Sequence, residues 1–172
     1  MIKNLIKLFK FRVVPDTVET LPDQAPPAEA TELEKFIMKH EGLRLVAYLD
    51  PAGVPTIGWG HTKTVTREQV GVRRITKVEA LELLRADIEP AKWAARAITG
   101  LTGGPKFNGV VSFVFNLGPG ALHGQTTQIG RHLLAKDYAS AAEGMQRYVY
   151  GGGRRLPGLV TRRREEGNLV NK

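Results

Sequence analysis

The stretch FNGVVSFVFNLG, residues 107–118, constrains the fold more than any other. It is nearly all apolar, and Pro105 just before it suits the first turn of a helix. A helix that is apolar all round must be enclosed by other elements. The remaining amphipathic segments therefore have to pack about it. Thr31 and Glu34 form a capping-box pattern ahead of Leu33, Phe36 and Ile37, and Gly42 follows as a left-handed stop. Thr76 and Glu79 repeat the pattern ahead of Leu81, Leu84 and Ile88, with Pro90 expected to kink or split that helix. Asp137 can cap a helix carrying Tyr138, Ala141, Ala142, Met145 and Tyr148.

One region breaks the helical period. Leu43, Leu45, Ala47 and Leu49 alternate with Arg44, Val46, Tyr48 and Asp50, the pattern of a half-buried strand. DPAGVP supplies a turn, and TIGWGHT follows as a second strand. The fold class is therefore α+β, with a β-hairpin in a small lobe, a larger all-helical lobe and a cleft between them. Ligand sites favour such boundaries.

The hairpin carries the chemistry. Glu41 falls in the last turn of the first helix, where the negative end of the dipole and partial burial disfavour a charged carboxylate. A general acid needs that condition. Asp50 ends one strand and Thr56 opens the next, so the turn can hold them side by side. Two carboxyl groups flanking a scissile bond are the requirement of glycoside hydrolysis, and a hydroxyl beside the second can hold water. The plain alternative is a surface Glu, a turn Asp and a strand Thr, which is what most such pairs are. Gly60, in the GWG run, leaves room for a ligand at the backbone.

The string EGLRLVAYLDPAGVPTIGWGHT decides between these readings. Its ungapped pattern, E-G-x-R-x-x-x-Y-x-D, then G, then T-I-G-x-G-H, resembles the phage-type lysozymes or endolysins, glycoside hydrolase family twenty-four. FVFNLGPGAL (113–122), LLAKDYASAAEGMQRYVY (133–150) and LPGLVTRRREE (156–166) extend the resemblance over about residues 31–170. It implies a lysozyme-like fold and a muramidase cleaving the β-1,4 bond from N-acetylmuramic acid to N-acetylglucosamine in peptidoglycan. Glu41 would be the acid, Asp50 the base or charge stabiliser, and Thr56 the water-holding partner. The reaction would be inverting. Phe115 matches a family aromatic at the cleft edge, although a core Phe on an apolar helix reads equally well. Departures stand at Gly144, where the family has Asn, and at Thr62, where it has Leu. They put subsite preference in question.

Other residues support or surround this site. His61 reads as a histidine bracing the hairpin rather than a metal ligand. His40, His123 and His132 lack metal-binding spacing, and no metal or cofactor is expected. Arg154, Arg155, Arg162, Arg163 and Arg164 form a basic cluster. Either Arg162 or Arg163 pairs with Glu41, or the cluster is a solvated face that holds anionic wall polymer or lipopolysaccharide.

Charge divides the chain into expected segments: 1–12, 13–30 and the catalytic domain 31–172. The whole chain is +8; residues 1–12 hold four cations and no anion, and residues 13–34 hold six acids and no base. The remainder, at +10, is drawn to polyanions. MIKNLIKLFKF places Ile2, Leu5, Ile6 and Phe9 on one stripe with its lysines off it, a pattern that can lie on an anionic membrane. It can equally be a helix packed on the domain, or a frayed end. Residues 15–30, rich in Pro and acid, read as a linker. Lysines interrupt any signal-peptide core, and no apolar run reaches the length of a membrane span. The expectation is a monomer held in the host cytoplasm until a separate membrane-hole protein releases it. A virion- or tail-associated lysozyme is the alternative, and a non-catalytic binder of wall or membrane is the weaker one. No nucleic-acid motif accompanies the basic residues, so nucleic acid is not an expected partner. The chain has no cysteine, which excludes disulfides and thiol chemistry.

Overall fold

The computed structural model describes residues 30–122 and 127–172. The basic segment 1–12 and most of the linker 13–30 lie outside the described residues.

The small lobe begins with α1 (Glu32–Glu41). Thr31 Oγ1 accepts from the Glu34 N–H at 3.3 Å, and the Thr31 N–H donates to Glu34 Oε2 at 2.7 Å. Two of the four orphan donors of the first turn are thus satisfied. Gly42 ends the helix at φ +70, but its ψ of 152 is extended rather than left-handed helical. The chain therefore leaves α1 directly into β1 (Arg44–Leu49), which pairs antiparallel with β2 (Pro55–Gly58). Tyr48 faces Thr56 and Leu49 faces Pro55, and the register slips between Arg44 and Tyr48. The segment after a short 3-10 turn at Arg67–Gln69 lies along the other edge of β1, with the Ala47 N–H on Arg73 O and the Ile75 N–H on Leu45 O, each at 3.0 Å.

α2 (Lys77–Thr99) connects the lobes. It buries Ala80, Leu81, Leu84, Ile88, Ala91 and Ala95 on one face. The helix runs through Pro90 without a break, contrary to the split that Pro alone implies. Pro90 itself is exposed, while Ile88 and Ala91 beside it are buried. Packing on the opposite face offsets the lost backbone hydrogen bond.

The large lobe surrounds α3 (Gly104–Leu117), whose Phe107, Val110, Val111, Phe113 and Val114 are all buried. α2 and α6 (Pro157–Val170) pack on it. Gly109 makes the α3–α6 approach possible: a Cβ there would meet Glu166 O and Val170 Cγ2 at 2.8 Å. α4 (Gln128–Leu134) and α5 (Tyr138–Met145), capped by Thr127 and Asp137, complete the lobe. A further small hairpin, β3 (Tyr150–Gly151) with β4 (Arg154–Arg155), turns at Gly152 and Gly153, both at positive φ. Among the described residues no helix is long and apolar enough to cross a membrane.

An ion pair ties α1 to α2. The buried Glu34 accepts from Arg85 Nε at 2.8 Å. Burial pushes the Glu34 carboxyl up, but Arg85 and the Thr31 N–H outweigh it and hold the group below the ordinary glutamate value. A depressed carboxylate adds stability above its unfolded pKa, about 4.3, and that stability is lost as pH falls through the lower folded value. Arg85→Met should therefore lower Tm at neutral pH. Its deficit relative to wild type should shrink as Glu34 becomes protonated below about pH 4. Thermal unfolding of both proteins across this range measures it, and a pH-independent gap would contradict the assignment.

Candidate active site

Glu41 closes α1, and Gly42 turns the chain away beneath it. Its side chain is 22% exposed, with one carboxylate oxygen held in an ion pair. Arg162 Nη1 on α6 donates to Oε1 at 2.6 Å. Oε2 lies beside Gly60, where a Cβ would stand only 3.8 Å away. Gly60 has φ +86, so a side chain there would strain the backbone and would stand in van der Waals contact with the acid.

A cleft of about 310 Å³ opens over these groups. Glu41, Trp59 and Gly60 line it from the small lobe, and Pro90, Phe115 and Asn116 from α2 and α3. Asp50 and Thr56 sit on the neighbouring turn rather than on this lining. Asp50 Oδ1 accepts from the N–H groups of Ala52 (2.9 Å) and Val54 (2.8 Å). The Thr56 hydroxyl, in a buried residue, donates to Val54 O at 2.9 Å. Val54 O also accepts from the Asp50 N–H at 3.0 Å. Val54 thus fixes both residues in one turn, although no direct hydrogen bond joins them among the described residues.

His61 is buried and braced on both sides. Nδ1 meets Asp87 Oδ2 of α2 at 2.7 Å, and Nε2 meets Thr64 Oγ1 at 2.8 Å. The Thr64 N–H also donates to Nε2 at 3.2 Å, which leaves the proton on Nδ1, facing Asp87. This pair ties the loop after β2 to α2, and Asp87 also meets Lys63 at 3.0 Å.

Below Glu41 lies a buried ionic network. Arg162 Nε donates to Glu166 Oε1 at 3.0 Å, and its Nη2 reaches Ser112 O at 3.3 Å. Ser112 Oγ donates to the same Glu166 oxygen at 2.7 Å. Arg163 Nη1 stands 2.9 Å from Glu166 Oε2, its Nη2 donates to Asn116 Oδ1, and its guanidinium lies 4.9 Å from the Phe113 ring centre. Burial pushes the Glu166 carboxyl up, against the pull of Arg163, Ser112 and Arg162. Two guanidiniums stand at 3 Å or less from it, and their charge favours the carboxylate form against that burial. Burial likewise lowers Arg163, with Glu166 opposing.

The arginine cluster is therefore divided. Arg154, Arg155 and Arg164 are exposed, whereas Arg162 and Arg163 are buried and belong to the site rather than to a solvated face. The sequence reading did not single out Glu166 or Ser112. Glu166 carries a readable signal, since it stands four residues after Arg162 and three after Arg163, on the same helix face. Ser112 and Asp87 carry none, because their partners are distant in sequence. Among the described residues no three His, Asp or Glu side chains form a metal-holding group.

Comparisons with known proteins identify the family. The family model for phage lysozyme matches residues 38–166. The endolysin of Salmonella phage P22 is 37% identical over 112 residues, which cover 62% of this chain and 73% of that protein. The SAR-endolysin of Escherichia phage Mu is 32% identical over 132 residues, 76% and 74% of the two chains. Among solved structures, a mutant P22 lysozyme superposes with a TM-score of 0.71 at 30% identity, covering 83% of this chain and 97% of that one. The muramidase domain of SpmX from Asticaccaulis excentricus gives 0.70 at 30% identity, covering 86% and 99%. The chain belongs to the phage lysozyme family.

Proposed function

We infer that the protein is an endolysin: a glycoside hydrolase that cuts peptidoglycan at the β-1,4 bond from N-acetylmuramic acid to N-acetylglucosamine. The observation that carries the reading is Glu41, whose Oε1 is clamped by Arg162 while Oε2 stands beside Gly60 at the cleft. A proton on Oε2 can pass to a glycosidic oxygen lying over Gly60, and Arg162 keeps the carboxyl in that orientation. Asp50 is the base that activates water, and Thr56 holds that water on the same turn. The backbone N–H groups on Asp50 Oδ1 aim the carboxylate without covering its second oxygen. The catalytic unit is residues 31–172. Peptidoglycan is the partner, and the exposed Arg154, Arg155 and Arg164 favour contact with its anionic groups or with lipopolysaccharide.

Water attacking from the Asp50 side inverts the anomeric centre. Proton NMR of fragments freshly released from purified peptidoglycan tests this. The α anomer should appear first. First appearance of the β anomer would make Asp50 a nucleophile and exclude inversion. Failure to release any fragments would refute the hydrolase reading itself.

A further inference from the structure

We propose that Asn116 is a specificity-determining residue, whose side-chain NH2 is presented to the cleft as the hydrogen-bond donor for an N-acetyl carbonyl of the glycan. This rests on the reading of the cleft as a glycan site. Asn116 stands in the last turn of α3 and lines the cleft beside Phe115. A free carboxamide can offer either end to a ligand, but this one cannot. Arg163 Nη2 is bonded to it, and a guanidinium only donates, so the end it touches is the oxygen. The NH2 is left as the outward group, and among the described residues nothing accepts a hydrogen bond from it.

The lock does not turn easily. Arg163 is fully buried, stacked near Phe113 and 2.9 Å from Glu166 Oε2, and its own carbonyl accepts from Gln146 Nε2 at 2.8 Å. The same Glu166 holds Arg162 Nε at 3.0 Å, and Arg162 holds Glu41 at 2.6 Å. One buried carboxylate therefore links the donor to the acid, through a hydrogen bond to Arg162 and an ion-pair contact, without a hydrogen bond, to Arg163. The donor's character selects its ligand. Sugar hydroxyls donate as well as accept and would discriminate little, whereas a carbonyl only accepts. A neutral amide also suits a carbonyl better than a lactyl or peptide carboxylate, which an arginine would hold more strongly.

The test compares soluble peptidoglycan strands with the same strands after de-N-acetylation. Asn116→Asp keeps an oxygen for Arg163 and replaces the NH2 with an acceptor. Asn116→Ala removes the NH2 without adding a charge. Wild type should prefer acetylated strands. Both variants should lose about tenfold or more in kcat/KM on those strands, and the preference should vanish, or reverse for Asp. Unchanged preference in the variants would overturn the inference, as would equal losses on both substrates, because a residue that only supports Arg163 would act alike on each. Inactive wild type on acetylated strands would overturn the glycan reading and this inference with it.

Discussion

Glu41→Gln should leave a folded protein that cuts peptidoglycan about 10²–10⁴-fold more slowly than wild type. The amide is close in shape to the carboxyl and keeps an oxygen for Arg162 Nη1, now 2.6 Å from Glu41 Oε1. What it lacks is an acidic proton for the departing glycosidic oxygen. Arg162 does not become an isolated buried charge, because Glu166 still accepts from its Nε at 3.0 Å. The effect should therefore appear in rate rather than in folding. Turbidity loss measures the first and thermal unfolding the second. A variant with more than about a tenth of wild-type activity would remove Glu41 from the acid role.

Glu166→Ala should have the largest effect on stability. Among the described residues it leaves Arg163 with only Asn116 as a polar side-chain partner, and it removes the carboxylate between two arginines that are each under 5% exposed. Breaking a buried ion pair by deleting one partner typically costs about 3–5 kcal/mol, because the surviving charge stays desolvated. For a domain of this size that corresponds to a fall in Tm of roughly 10 °C or more. Circular dichroism through the thermal transition measures it. A loss below about 1 kcal/mol would mean that water or another group compensates the arginines, and that Glu166 does not organise the network.

Local chemistry made much of the fold legible from sequence. Thr31, Thr76 and Asp137 announce helix starts because a cap and its N–H partner lie within a few residues of each other. The hairpin bearing Asp50 and Thr56 was legible from alternation and a Pro-Gly turn. The β3–β4 hairpin was not, since two-residue strands show no period. Pro90 misled because its cost is local, whereas the packing that carries α2 through it is tertiary. At the site, the sequence left open whether Arg162 or Arg163 faces Glu41 and how the other is used. The structure puts Arg162 on the acid and Arg163 on Asn116. That division depends on where α6 meets α3, and the close passage at Gly109 sets it.

The measurement closest to the central claim is the chemistry of the new chain ends. Purified peptidoglycan is digested, the fragments are reduced with borohydride, and the reduced sugar is identified by mass. Cleavage at the muramic acid linkage predicts muramitol from wild type and almost none from Glu41→Gln. Glucosaminitol, or fragments with no new reducing end at all, would contradict the account.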